Sequence, residues 1–150
     1  MILKYRAWNK KTQSFIDYGD LVLDLRSGKI YAGDIGLVES TIDVTDQIEL
    51  MQSTGMKDKN GVEIFEWDIA LITHKSTNYA DTYWHSYVEV FRAKNGAYRI
   101  RGEHIYETEL YSNRKQLTVA GNIYNSPELL KRDRFMTTTE NPELSGEEQR

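Results

Sequence analysis

The chain has 150 residues, a formal net charge of -4 and no cysteine, and 39% of its residues are hydrophobic. This length suits one domain, or one domain plus a small appendage. The absence of cysteine excludes disulfides, thiolate metal sites and thiol nucleophiles, and it agrees with a reducing compartment. No apolar run reaches the roughly 20 residues of a membrane span, and residues 1–8 lack the apolar region of a signal peptide, so we expect a soluble cytoplasmic protein.

Short β-prone runs separated by turn residues fill the first third of the chain. Strands are predicted at residues 2–8, 20–25, 30–31, 36–39 and 48–52. A turn-rich stretch, residues 54–61, follows them. Short strands at this spacing are typical of an all-β protein, so residues 1–53 are predicted to form an N-terminal strand-rich portion.

Longer β-prone runs occupy the rest of the chain. Strands are predicted at residues 62–72, 79–92, 97–101, 105–111 and 116–124. Asn95 and Gly96 predict a hairpin turn, because both residue types tolerate positive φ. Residues 97–101 alternate between small or basic side chains and apolar ones, which is the pattern of a half-buried strand. The predicted fold class is mainly β, with residues 54–135 as a second β portion.

The chain is predicted to close with one short helix and a tail. At residues 126–132, Ser126 occupies an N-cap position, Pro127 the first helical position, and acidic residues precede basic ones. Residues 136–150 hold four glutamates and one arginine, and this charge of -3 leaves -1 for the preceding residues. Because this polar segment buries too little surface to offset the entropy lost on ordering, a disordered acidic tail is predicted.

Two loop motifs lack residues that their ligands require. Gly28 and Gly33 have the glycine spacing of a phosphate-binding loop, but the lysine that should follow is absent. Residues 58–61 resemble a fragment of a calcium-binding loop, but Met56 and Trp67 would occupy its first and last ligand positions. We therefore expect a polar turn at residues 58–61 and no cofactor.

Signals for metal binding and catalysis are weak. The three histidines, His74, His85 and His104, are isolated in the sequence, so no metal site is predicted. Glu66 and Asp68 lie two apart in a predicted strand and share one face, at a spacing suited to acid–base chemistry. Because exposed carboxylate pairs are common, catalysis there ranks last among the hypotheses. We predict no enzyme and no catalytic residue.

A weak candidate binding site combines basic and aromatic side chains, namely Tyr98, Arg99, Arg101 and Tyr106. Proteins that bind single-stranded nucleic acid pair basic grooves with aromatic stacking platforms. However, three glutamates lie in the same stretch, Glu103, Glu107 and Glu109, and residues 1–135 have no basic excess. A solvated sheet face is the favoured interpretation, and nucleic acid is a partner that we do not favour.

Three stretches also carry a family resemblance: YRAWNKK at residues 5–11, LMQSTGMKDKNGVEIFEWDI at 50–69, and VAGNIYNSPELL at 119–130. In this order they resemble the YopX family of small bacteriophage and prophage proteins. The family usually has glycine at the position of Trp67, and the sequence leaves open whether Trp67 is buried or exposed.

The resemblance implies a mainly β protein with an SH3-like β-barrel portion, here residues 54–135, encoded by phages of Gram-positive bacteria. It implies no established activity and no catalytic residues. We therefore expect a phage or prophage accessory protein of the bacterial cytoplasm that is a protein-binding or assembly module. Its partner would be an unidentified protein or further copies of itself, with no membrane partner. The alternative is a single-stranded nucleic acid binding protein.

Overall fold

A computed structural model of the chain describes residues 4–16, 21–32 and 42–142. Strands make up 52% of these residues and helices 12%, which confirms the mainly β prediction. The chain divides into two compact units, Lys4–Met51 and a second that begins at Gln52. The strand predicted at 36–39 lies outside the described residues. Within the ranges described, no helix is long and apolar enough to cross a membrane.

In its described residues, the N-terminal unit contains five short strands and the start of a sixth. They are β1 (Tyr5–Asn9), β2 (Ser14–Phe15), β3 (Leu21–Leu23), β4 (Ile30–Ala32), β5 (Ile42–Asp43) and β6 (Ile48–Lys57). β1 lies between β2 and β6, while β3, β4 and β5 form a separate antiparallel sheet. Ala7, Ile30 and Ile48 form the buried core of this unit. The buried Trp8 packs edge-on against Phe15, with ring centres 4.9 Å apart.

In the second unit the end of β6 pairs with a short strand, and a larger antiparallel sheet follows. The remaining strands are β7 (Glu63–Phe65), β8 (Asp68–Lys75), β9 (Tyr83–Arg92), β10 (Tyr98–Gly102), β11 (Ile105–Glu109), β12 (Leu117–Asn122) and β13 (Phe135–Thr137). Five of these strands form the larger sheet in the order β11-β10-β9-β8-β12, and β13 pairs with β9. The strand predicted at 105–111 ends at Glu109, where the short helix α1 (Leu110–Asn113) begins.

Both faces of this sheet are covered. One face carries the larger core, which includes Ile72, Val90 and Ile100. Ile69, Leu71 and Tyr87 belong to a second cluster that also contains Leu129 and is packed by Phe135. Strand β8 is therefore buried on both sides from Asp68 to Thr73. A strand buried on both faces reads as a continuous apolar run instead of an alternating one, and residues 69–72 have this character.

The two C-terminal predictions need correction. The helix predicted at 126–132 is a 3-10 helix, Pro127–Lys131, and no side-chain hydrogen bond from Ser126 caps it. The predicted disordered tail begins too early, because Met136 and Thr137 belong to strand β13. β10 pairs with β9 only from Glu89 onward, so the same edge of β9 is open at Tyr83–His85, where β13 pairs. Residues 143–150 of the predicted tail lie outside the described residues.

Asp58 joins the turn after β6 to strand β12. Its side chain is 6% exposed. One carboxylate oxygen accepts the backbone N–H groups of Asn60 and Val62, at 2.8 and 2.9 Å. The other oxygen accepts the N–H of Val119 at 2.9 Å. The polar turn predicted at 58–61 therefore exists, and a buried carboxylate holds it against the sheet.

The bend between β7 and β8 interrupts the strand predicted at 62–72. Trp67 adopts φ +67°, the left-handed conformation that glycine tolerates best, and its side chain is partly buried. Its N–H donates to the carbonyl of Val90 at 2.8 Å, and its carbonyl accepts the N–H of Ile123 at 3.0 Å. The bend implied by the family glycine is kept here, and tryptophan accommodates it at some cost in backbone energy.

We expect Asp58→Asn to lower the free energy of unfolding by about 2 kcal/mol, because one of its two accepting oxygens becomes an NH₂ group facing a backbone donor. Urea denaturation followed by circular dichroism measures this change. The matched control is Asp81→Asn, in an exposed turn, where the expected change is within about 0.5 kcal/mol. Equal stability of Asp58→Asn and the unsubstituted chain would contradict this role.

We also expect Trp67→Gly to be more stable than Trp67→Ala, by about 0.5–1 kcal/mol. Both variants lose the tryptophan side chain, but only glycine relieves the cost of positive φ, which outweighs its usual entropic disadvantage. The same pair of substitutions at Glu66, whose φ is negative, provides the control and should show the opposite order. If alanine is the better residue at both positions, the bend carries no backbone strain.

Candidate functional site

The predicted binding residues lie on two neighbouring strands at one edge of the larger sheet. Tyr98, Arg99 and Arg101 are on β10, and Tyr106 is on β11. Tyr98 packs against the larger core, as does Ile100. Because successive side chains of a strand point to opposite faces, Tyr98 and the two arginines do not share a face. The four residues therefore do not converge on one surface.

Each arginine is bound by a carboxylate of a neighbouring strand. Arg99 Nε lies 2.7 Å from Glu107 Oε2, and Arg101 Nε lies 2.7 Å from Glu89 Oε1. Strand register explains the second pair, because Arg101 is directly opposite Glu89. The Arg101 guanidinium also lies 4.0 Å from the centre of the Phe91 ring. These contacts offset the positive charge that a nucleic acid backbone would require.

Tyr106 differs from the other three residues because its side chain is 96% exposed. It lies on β11, which forms one edge of the larger sheet. In the part of the chain that the structure describes, β11 pairs with β10 alone. An outer strand has backbone groups available for a further strand, and an exposed aromatic ring can anchor such a contact. We therefore take the outer edge of β11, centred on Tyr106, as the candidate functional site.

The carboxylate pair considered for catalysis is engaged by backbone groups. Glu66 Oε1 accepts the N–H of Gln52 at 3.0 Å. Asp68, which is fully buried, accepts the N–H of Phe65 through Oδ2 at 2.8 Å. Both side chains thus support the bend between β7 and β8.

His85 is the buried member of the three histidines, and it ties three strands together. Nδ1 lies 2.8 Å from Thr73 Oγ1 on β8, and Nε2 lies 2.7 Å from Thr137 Oγ1 on β13. The Thr137 hydroxyl donates to the carbonyl of Thr139 at 2.6 Å, so it accepts a hydrogen bond from Nε2–H. In a neutral imidazole, Nδ1 then accepts a hydrogen bond from the Thr73 hydroxyl.

The surroundings of His85 favour this neutral form. Burial lowers its pKa below the usual 6.5, and the positive charge of Lys59 lowers the pKa further. The ring also stacks on Phe135, with centres 4.9 Å apart. Sequence reasoning missed this cluster because its third member, Thr137, lies in the segment predicted to be disordered. Among the described residues, no three histidine, aspartate or glutamate side chains gather in a group able to hold a metal ion.

Comparisons with known proteins confirm the resemblance found in the sequence. The family described as YopX protein matches residues 4–131. The crystal structure of protein EF1440 from Enterococcus faecalis is similar, with a TM-score of 0.57 and 27% identity over 87% of this chain and 99% of that chain. No curated protein matches the sequence. These comparisons identify relatives in sequence and structure, and they name no ligand, partner or reaction.

We expect stability to fall as the pH is lowered below about 6.5, because the unfolded chain then binds a proton at His85 that the folded chain binds only at lower pH. Urea midpoints at pH 7.5 and 5.5 measure this loss. His85→Gln should reduce the difference between the two midpoints, while His104→Gln, in a more exposed position, should preserve it. The same pH dependence in His85→Gln would assign the effect to other groups.

Proposed function

The chain belongs to the YopX family, and from this premise we propose that it is a phage or prophage accessory protein that works by binding and not by catalysis. Its role is that of a protein-binding or assembly module in the cytoplasm of a bacterial host. The phage origin and the location rest on the family resemblance. The binding role rests on the geometry of strand β11.

The observation that carries this proposal is the position of Tyr106. A tyrosine that is 96% exposed buries almost no apolar area within the fold, so it contributes little hydrophobic stabilisation to the isolated chain. On an outer strand it lies beside backbone donors and acceptors that can pair with an added strand. Tyrosine is also enriched among the residues that contribute most to protein–protein binding. The edge of β11 therefore suits a partner that adds a strand beside Tyr106.

Charge favours a protein partner over nucleic acid at this site. Two arginines, Arg99 and Arg101, face three glutamates, Glu89, Glu107 and Glu109, across neighbouring strands. The local charge is slightly negative, whereas binding to phosphates depends on uncompensated basic residues. A near-neutral surface with an exposed aromatic residue is typical of protein interfaces. Single-stranded nucleic acid binding is accordingly the less favoured alternative.

The form of the proposal that can be tested without a known partner is self-assembly through β11. We expect sedimentation velocity of the full chain to show reversible association as its concentration rises. Tyr106→Ala should weaken this association at least tenfold, because it removes the aromatic anchor. Tyr79→Ala is the matched control: Tyr79 is 67% exposed but lies outside the strands, and its removal should leave association unchanged.

Two outcomes would overturn the self-assembly proposal. A monomeric mass at every concentration would show that β11 does not pair between copies. An equal loss of association in Tyr106→Ala and Tyr79→Ala would place the contact elsewhere. Thermal denaturation of both variants is the accompanying check, since neither exposed side chain contributes much to the folded state.

A further inference from the structure

A cavity of about 340 Å³ in the second unit is bordered by three lysines from three different elements, Lys59, Lys75 and Lys115. Lys59 follows Asp58 in the turn after β6, Lys75 is the last residue of β8, and Lys115 lies in the 3-10 turn just before β12. In the sequence these lysines are far apart and belong to no motif. Folding alone brings them to one cavity.

Backbone hydrogen bonds and strand register determine the positions of these lysines. The N–H of Lys59 donates to the carbonyl of Leu117 at 3.1 Å, and Asp58 is bonded to Val119, so the turn is held against β12. Strands β8 and β12 run antiparallel with Ile72 opposite Leu117. This register brings the end of β8, with Lys75, beside the residues that precede β12, including Lys115. The three cations are thus positioned by ordered elements of the fold.

The positive charge of this cavity is not neutralised within the described chain. Among residues 4–16, 21–32 and 42–142, no carboxylate oxygen lies within 4.0 Å of the Lys59, Lys75 or Lys115 ammonium groups. One carboxylate, that of Glu140, lines the same cavity. Three like charges converging near one acid raise the local potential, and that potential favours an anion.

We propose that this cavity binds the phosphate group of a small phosphorylated ligand, and that the Glu140 carboxylate, which lines the same cavity, weakens this binding by repelling the phosphate. The volume lies in the range of about 300–1,000 Å³ that small-molecule sites occupy. Lysine ammonium groups bind phosphate as compact point charges. Tyr83, which is half-buried and lines the cavity, provides aromatic surface for the remainder of the ligand.

The arrangement favours a small ligand over a polynucleotide. Proteins that bind single strands carry a basic groove that follows the backbone over several nucleotides. Here the lysines converge on one cavity, and the two arginines on β10 are each bound to a glutamate. The three lysines of the cavity therefore form a single point of attachment, which suits one phosphate or diphosphate group.

Titration of the full chain with inorganic pyrophosphate at low ionic strength, followed by calorimetry, tests the site. We expect saturable binding of one pyrophosphate per chain. Lys59→Gln and Lys115→Gln should each weaken it about threefold or more, a change that corresponds to loss of one partly exposed charge contact. Lys94→Gln removes the same charge from the hairpin turn after β9 and should leave the affinity unchanged.

The role of Glu140 predicts a change in the opposite direction. Glu140→Gln should tighten pyrophosphate binding about threefold, because the negative charge that repels the pyrophosphate is removed. Glu128→Gln, on the 3-10 helix and outside the cavity, is the matched control and should have no effect. If Glu140→Gln gave no gain in affinity, the proposed repulsion by Glu140 would be overturned.

Other outcomes would overturn the site itself. Absence of saturable pyrophosphate binding, or an equal loss in Lys94→Gln, would show that the lysines form no specific site. Tighter binding of a thymidine oligonucleotide, with a salt dependence that reports several phosphates, would assign the lysines to nucleic acid instead. Tyr106→Ala should bind pyrophosphate normally, so failure of the assembly proposal and failure of this one are distinguishable.

Discussion

The carboxylate of Asp58 binds backbone groups that lie up to 61 residues away in the sequence, and much of the second unit depends on that bridge. It satisfies a buried N–H group in β12 and partly buried N–H groups in the turn after β6 at the same time. Separation of the two segments would leave a buried N–H donor without an acceptor. Because that is costly in free energy, the hydrogen bonds of Asp58 stabilise the contact between the segments. The same bridge sets the position of Lys59 and hence one wall of the lysine cavity.

The sheet of the second unit adds a second constraint, because it is buried on both faces. The larger core covers one side, and the 3-10 helix with β13 covers the other. The long strand β9 has β8 on one edge and shares its other edge between β10 and β13. Among the described strands, β11, β12 and β13 are outermost in the larger sheet, and of these three β11 presents an exposed aromatic residue.

Local signals in the sequence predicted the local features of the fold. The Asn95-Gly96 turn, the alternation in residues 97–101 and the polar turn at 58–61 each depend on neighbouring residues, and each is present. The positive φ at Trp67 could not be predicted from that residue, because tryptophan gives no signal of positive φ. Strand β13 depends on an open edge of β9, and the lysine cavity depends on strand register. No pattern within a short window contains that information, since both features arise from contacts between distant segments.

The covering of the second sheet face has a consequence for synthesis of the chain. Ile69, Leu71 and Tyr87 are translated well before Leu129 and Phe135, which cover them. Until the later residues emerge from the ribosome, the nascent sheet presents an apolar surface to water. Surfaces of this kind recruit chaperones or other nascent chains. A premature stop codon that removes Phe135 would leave that surface permanently open, so such products are expected to be degraded or to aggregate even though most strands are intact.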